Sequence, residues 1–165
     1  MSRHGVKPMK LNICIRQVSG ATELGAAFRI RMRVFVTEQG VPVEVELDRD
    51  DERAIHFIAL AAGRPVGTAR LVMRHGDAKI GRMAVLRSYR RKGIGKQLLK
   101  RAITTARKRG ARKIYLHAQL PVIGFYEALG LCCVGPVFTE AGIPHRKMIL
   151  RGDKTSERRT SSTFA

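Results

Sequence analysis

Leu11, Ile13 and Ile15 alternate with Asn12, Cys14 and Arg16, the period-two pattern of a half-buried strand. Leu24, Phe28, Arg31/Met32 and Phe35 then recur at helical spacing, with Ser19 or Thr22 placed to cap the helix. That helix should stop before Gly40-Val41-Pro42, because proline and the residue ahead of it resist helical geometry. Ala54 to Ala61 is a short apolar run, Ala62-Gly63-Arg64-Pro65 is turn chemistry, and Val66 to Val72 completes a hairpin. After the turn signal His75-Gly76-Asp77 comes a strand from Ala78 to Val85. Ile94, Leu98, Leu99, Ala102, Ile103 and Ala106 line one face of the clearest helix, and Gly110 can close it. A strand over Lys113–Ala118, a short helix from about Val122 to Leu129, and strands near Cys132–Phe138 and His145–Leu150 follow. The order β-α-β-β-β-α-β-α-β-β predicts a single α/β domain with strands of mixed direction in a central sheet.

Composition bounds this picture. The 165 residues suit one domain, and an apolar fraction of 44% suffices for a core. Residues 1–10 read as an N-terminal arm, 11–150 as the domain, and the charged, Ser/Thr-rich stretch 151–165 as a disordered basic tail. No apolar run approaches membrane-spanning length, and Met1 to Lys10 lack the apolar stretch expected of a secretory signal. Three cysteines, two of them adjacent, make no disulfide framework and fit a reducing cytoplasm.

Charge changes the picture more. A net charge of +19 implies an anionic partner. From Ala78 to Tyr126 there are 14 Lys and Arg and no acid, whereas Glu44 to Glu52 holds six acids against Arg49. The acidic block is expected to be a solvated loop, with attraction of a cationic amine as the alternative. Nucleic-acid binding would explain the total. Against it, aromatic residues are 5% and no helix-turn-helix or RNA-binding signature is present. No histidine or cysteine spacing suits a metal.

Between the strand ending at Val85 and the long helix lies Leu86-Arg87-Ser88-Tyr89-Arg90-Arg91-Lys92-Gly93-Ile94-Gly95-Lys96. Gly93 and Gly95 let the backbone approach a ligand closely and adopt positive φ. Their N–H groups, with the unpaired N–H groups opening the helix, form a concavity suited to pyrophosphate. Arg90-x-x-Gly93-x-Gly95 resembles the acetyl-coenzyme A (acetyl-CoA) signature of the GNAT superfamily of N-acetyltransferases. Gly124-Phe125-Tyr126-Glu127-Ala128-Leu129-Gly130-Leu131 is similar to a second element of that superfamily. Arg31-x-x-Val34-Phe35-Val36-x-Glu38-Gln39, His117-Ala118-Gln119 and Glu140-Ala141-Gly142-Ile143-Pro144-His145 resemble its ElaA/YjcF-like bacterial acyltransferases. The family commonly has Pro where Arg87 stands, Gly at Arg91 and Asn at Gln119.

The resemblance implies a GNAT-type sheet of about seven strands with helices on both faces. It implies acetyl-CoA as co-substrate, and an acetyl group passed to a primary amine of a small molecule by direct attack on the thioester. Met83, Ala84 and Val85 would pair with the pantetheine arm, Arg90, Arg91, Lys92, Gly93, Ile94, Gly95 and Lys96 would hold the pyrophosphate, and Gln119 would touch the cofactor. Tyr126 would protonate the departing thiolate. Glu38 and His117 are the candidate bases, with a water relay and the more remote His145 as alternatives. A protein or longer-acyl acceptor is the other transferase reading, and the active unit is a monomer or homodimer.

Overall fold

The computed structural model describes residues 10–152. The expected arm and the expected disordered tail lie outside the described residues, apart from Lys10 and the turn Arg151-Gly152. One sheet of seven strands runs in the order β1-β2-β3-β4-β5-β7-β6: β1 (Ile13–Gln17), β2 (Ile55–Ala61), β3 (Arg64–Arg74), β4 (Asp77–Val85), β5 (Ile114–Gln119), β6 (Leu131–Glu140) and β7 (Ile143–Leu150). All neighbours are antiparallel except β4 and β5, which run parallel and need a crossover. That crossover is α3 (Ile94–Lys108), the predicted apolar helix, followed by Gly110 at φ +77°. Its buried face, including Leu98, Leu99, Ala102 and Ala106, packs with Phe57, Leu71, Ile80 and Ile114 in the main core.

The opposite face is covered by α1 (Gly20–Arg31), whose Ile30, with Val34 just beyond it, packs on Ala84. Helices therefore lie on both faces, as expected. The helix stops before Gly40 as predicted, but its second half, Met32–Glu38, is π-helical; the Gln39 N–H donates to the carbonyl of Val34 five residues back. Ser19 occupies the N-cap position without a side-chain cap; its own N–H donates to the Glu23 carboxylate, one turn into the helix, at 2.7 Å. The strands overrun their predicted ends because hairpin turns come later than the apolar patterns stop. At Ala62-Gly63, His75-Gly76 and Ala141-Gly142 both turn residues have positive φ, as a type I′ turn demands.

The acidic block departs from expectation. It is not a solvated loop: Pro42 leads into α2 (Val43–Glu46), and Arg49–Glu52 forms a 3₁₀ turn capped by Asp48. Four of its six carboxylates, those of Glu46, Asp48, Asp50 and Asp51, meet arginines that distant elements present, while Glu44 and Glu52 stay exposed. Arg31, fully buried, donates to the Glu46 carboxylate (2.6 Å), to the Glu46 carbonyl (2.8 Å) and to both oxygens of Asp51 (2.7 and 3.2 Å). Arg70 holds Asp48 (2.6 Å) and Asp51 (2.9 Å), while Arg82 reaches Asp48 (3.1 Å) and lies 3.3 Å from the Glu46 carboxylate. A buried guanidinium needs such saturation, since an uncompensated charge there costs several kcal/mol. The block clamps α1 to β3 and β4.

Candidate active site

β4 and β5 pair at Ala78↔Ile114, Lys79↔Tyr115 and Ile80↔Leu116, and there the pairing ends. Both strands continue, to Val85 and Gln119, so the sheet opens into a wedge. A bulge helps to open it: Thr68 faces Ala84 while Arg70 faces Gly81, which leaves one extra β4 residue, and Arg82 takes φ +49°. Backbone groups of Met83, Ala84 and Val85 thus border a gap that no β5 ladder closes.

At the mouth of the wedge, a 3₁₀ turn (Arg87–Tyr89) leads into the loop before α3. Gly93 is the N-cap of α3 at φ +79°, and a Cβ built there would meet nothing within 4 Å. The first intrahelical bond runs from Gln97 N–H to the Gly93 carbonyl, so Ile94, Gly95 and Lys96 open the helix with free N–H groups. This cradle, with Arg91, Lys92 and Lys96 exposed around it, fits a diphosphate. Gly95 does not adopt the expected positive φ; it lies within the first helical turn, where a Cβ would sit 3.4 Å from the Phe125 ring. Arg91 holds φ +60°, a left-handed conformation that favours glycine, and glycine is the residue the family commonly carries there. Arg90 is turned away from the cradle: it donates to the Val85 carbonyl (2.8 Å) and to Glu38 (2.7 Å).

Tyr126 lies on α4 (Ile123–Glu127), which follows the short 3₁₀ turn Leu120–Val122 after β5. It is buried, and its hydroxyl donates to the Met83 sulfur at 3.6 Å, at the wedge. Burial pushes this phenol up to about 12, so it keeps its proton throughout the neutral range. From the other side, Gln39 at the end of the π-helical segment exchanges two hydrogen bonds with Gln119 (2.8 and 3.3 Å), joining this segment to the end of β5.

His117 is the first β5 residue past the last β4 pairing. Its Nδ1 lies 3.2 Å from Glu140, Phe138 stands edge-on to its ring at 4.9 Å, and His145 Nε2 is 3.9 Å from the same carboxylate. The hydrogen bond from His117 lowers the Glu140 pKa against its burial, with Lys79 adding to the effect, to about 2. The structure brings His117 and His145 together through Glu140, a residue that sequence reading did not assign. Its signal was the Glu140–His145 motif, whose hairpin sets His145 opposite Gln119 of β5 and lets the Glu140 side chain on β6 reach His117. Glu38 is apart from them, beside Arg90. Next to Glu38, a cavity of about 890 Å³ opens between α1 and the turn after β4. Among the described residues no cluster of ligands suits a metal.

A model of the acetyltransferase (GNAT) family matches residues 25–131, from α1 through α4, a span that contains the wedge, the cradle and Tyr126. The chain belongs to the GNAT family. YjcF of Bacillus subtilis (strain 168), described as an uncharacterized N-acetyltransferase, is 36% identical over 128 residues, covering 77% of this chain and 91% of that protein. Protein ElaA of Escherichia coli (strain K12) is 32% identical over 130 residues, 75% of this chain and 84% of its own. Among solved structures, an acyl-CoA N-acyltransferase from Pseudomonas aeruginosa superposes with a TM-score of 0.74 at 31% identity, covering 85% of this chain and 99% of that one. The GNAT chain is thus an N-acetyltransferase of the ElaA/YjcF-like branch, and acyl-CoA is the family's co-substrate. No helix among the described residues is long and apolar enough to cross a membrane.

Proposed function

We propose that this chain transfers an acetyl group from acetyl-CoA to the primary amine of a small molecule by direct attack on the thioester. The observation that carries the reading is the Tyr126 hydroxyl standing at the Met83 side of an unpaired β4–β5 wedge whose mouth is a glycine-capped helix N-terminus. The pyrophosphate rests on Gly93 to Lys96, with Arg91 and Lys92 beside it, while Arg90 braces the loop through Val85 and Glu38. The pantetheine arm pairs with the backbone of Met83, Ala84 and Val85, and Gln119 borders the arm from β5. A β4 N–H polarises the thioester carbonyl, because negative charge grows on that oxygen as the amine attacks. Bringing amine and carbonyl together in one wedge supplies much of the acceleration.

Two protons must move. The amine must lose one, and His117 takes it, directly or through water; Glu140 holds Nδ1 so that Nε2 is the basic atom. Glu38 is less suited, since its carboxylate is already committed to Arg90. The thiolate must gain one, and the buried phenol of Tyr126 gives it. Free Cys14, Cys132 and Cys133 suit work in the cytoplasm.

The test is Tyr126→Phe, which keeps the ring and removes the donor. Turnover, read as thiol release with a reactive primary amine, should fall by about 10²–10⁴-fold while the Michaelis constant for acetyl-CoA changes little. Turnover within about threefold of the parent, far below general-acid magnitudes, would assign the proton to another group.

A further inference from the structure

Every arginine that faces the acidic block is neutralised by it; Arg31, Arg70, Arg74 and Arg82 all carry carboxylate partners. The cavity of about 890 Å³ beside the wedge is built differently. Its floor is apolar, with Ala26, Ile30 and Leu86, and its rim carries Arg29, Arg33 and Arg87. None of these three guanidinium groups has a hydrogen-bond or carboxylate partner among the described residues. The one acid on the rim, Glu38, is already held by Arg90. The cavity therefore keeps a net positive rim over an apolar base, at a size normal for a small-molecule site.

Its position decides which reactant it suits. Tyr126 belongs to the core on the α3 face of the sheet, whereas Ile30, Ala84 and Leu86 cluster on the α1 face. A planar thioester in the wedge that leaves its sulfur toward Tyr126 exposes its carbonyl to attack from the α1 side. The cavity opens on that side, and residues Thr37 and Glu38 of its wall directly precede Gln39, which is tied to Gln119 across the wedge. The π-helical segment also shapes this wall, for Arg33 and Glu38 sit five residues apart, one π-turn.

We infer that this cavity is the acceptor pocket and that it selects primary amines bearing an anionic group, a carboxylate or a phosphate, which Arg29, Arg33 and Arg87 hold while the amine points to the wedge. The inference deepens the transferase reading and rests on it. A polyamine is the wrong acceptor here, because its second cation would meet three unneutralised guanidinium groups with no carboxylate free to receive it.

The test compares O-phosphoethanolamine, β-alanine, ethanolamine and ethylenediamine, four amines of similar length and different charge, at saturating acetyl-CoA. The anionic pair should show kcat/KM at least about tenfold above the other two, the scale of a charge-assisted hydrogen bond. The better of the pair tells phosphate from carboxylate. In the Arg29→Gln/Arg33→Gln double variant, the advantage should shrink about tenfold through the KM of the anionic amine, with the KM for acetyl-CoA unmoved. A preference for ethylenediamine, or a double variant that raises the KM for acetyl-CoA and not that of the amine, overturns the assignment. Calorimetry on the CoA-loaded protein provides a readout that needs no turnover. O-phosphoethanolamine or β-alanine should bind the parent and bind the double variant about tenfold more weakly, and binding of neither to the parent overturns the pocket. Failure of acetyl-CoA itself to bind strikes the transferase reading instead.

Discussion

Arg31 and Arg33 lie two residues apart on one helical segment and do opposite work. Arg31 faces the sheet, is fully buried, and spends its donors on Glu46 and Asp51. Arg33 faces outward at the cavity rim and has no partner among the described residues. The first is structural because its charge is cancelled; the second is available because its charge is not. Basic composition thus divides into cations that the chain consumes and cations that it leaves for a ligand, and the acidic block draws the line between them.

The comparison breaks most visibly at Arg31. Arg31→Met strands Glu46 and Asp51 without their main partner, and urea unfolding should show a loss of about 3–5 kcal/mol. Arg33→Gln, by contrast, should change stability by no more than about 0.5 kcal/mol.

A second, smaller effect comes from pH. Burial works to raise the Asp51 pKa, but hydrogen bonds from Arg31 and Arg70 overcome it and hold the carboxyl near 2 instead of 3.8. A folded value below the unfolded one stabilises fully above about pH 4 and is lost as pH falls from there through 2. Asp51 should account for about 2 kcal/mol of that acid loss. Urea titrations of the parent between pH 6 and 3 should show stability falling only at the acid end, and Asp51→Asn should flatten the fall.

The smallest effect sharpens the ligand side. Gly93→Ala places a side chain at φ +79° and should cost about 1–2 kcal/mol in folding. Its Cβ enters the open cradle, so acetyl-CoA affinity by calorimetry should fall roughly tenfold. Unchanged affinity would remove the phosphate role from this loop.

Much of this was legible in the sequence, for reasons that particular residues show. Strands and α3 announced themselves because their apolar periods are local: Ile114, Leu116 and Ala118 alternate, and Leu98, Ala102 and Ala106 repeat every turn. The cradle was legible because Gly93 and the helix opening are adjacent in the chain. The acidic block was misread because its partners, Arg31, Arg70 and Arg82, lie 15 to 36 residues from the carboxylates they hold. No local charge pattern encodes such a match. The same holds for Glu140, which meets His117 across 23 residues of chain. Gly95 was misassigned because a glycine relieving Phe125 and a glycine freeing the backbone look alike in sequence.

The inward turn of the acids also governs how the protein meets its ligands from a distance. Glu46, Asp48 and Asp51 are spent within the fold, and from Ala78 to Tyr126 the chain carries no acid at all, so the region around the cradle projects an electric field of one sign into solution. A polyanion such as a CoA ester feels that field before contact and is drawn toward the mouth of the wedge. Encounter then outpaces neutral diffusion at low ionic strength and slows as salt screens the field beyond about 8–10 Å. Departure of the bound ester depends on short contacts and is screened far less. Salt acts on arrival, and the clamp that steadies α1 is what leaves the approach uniformly attractive.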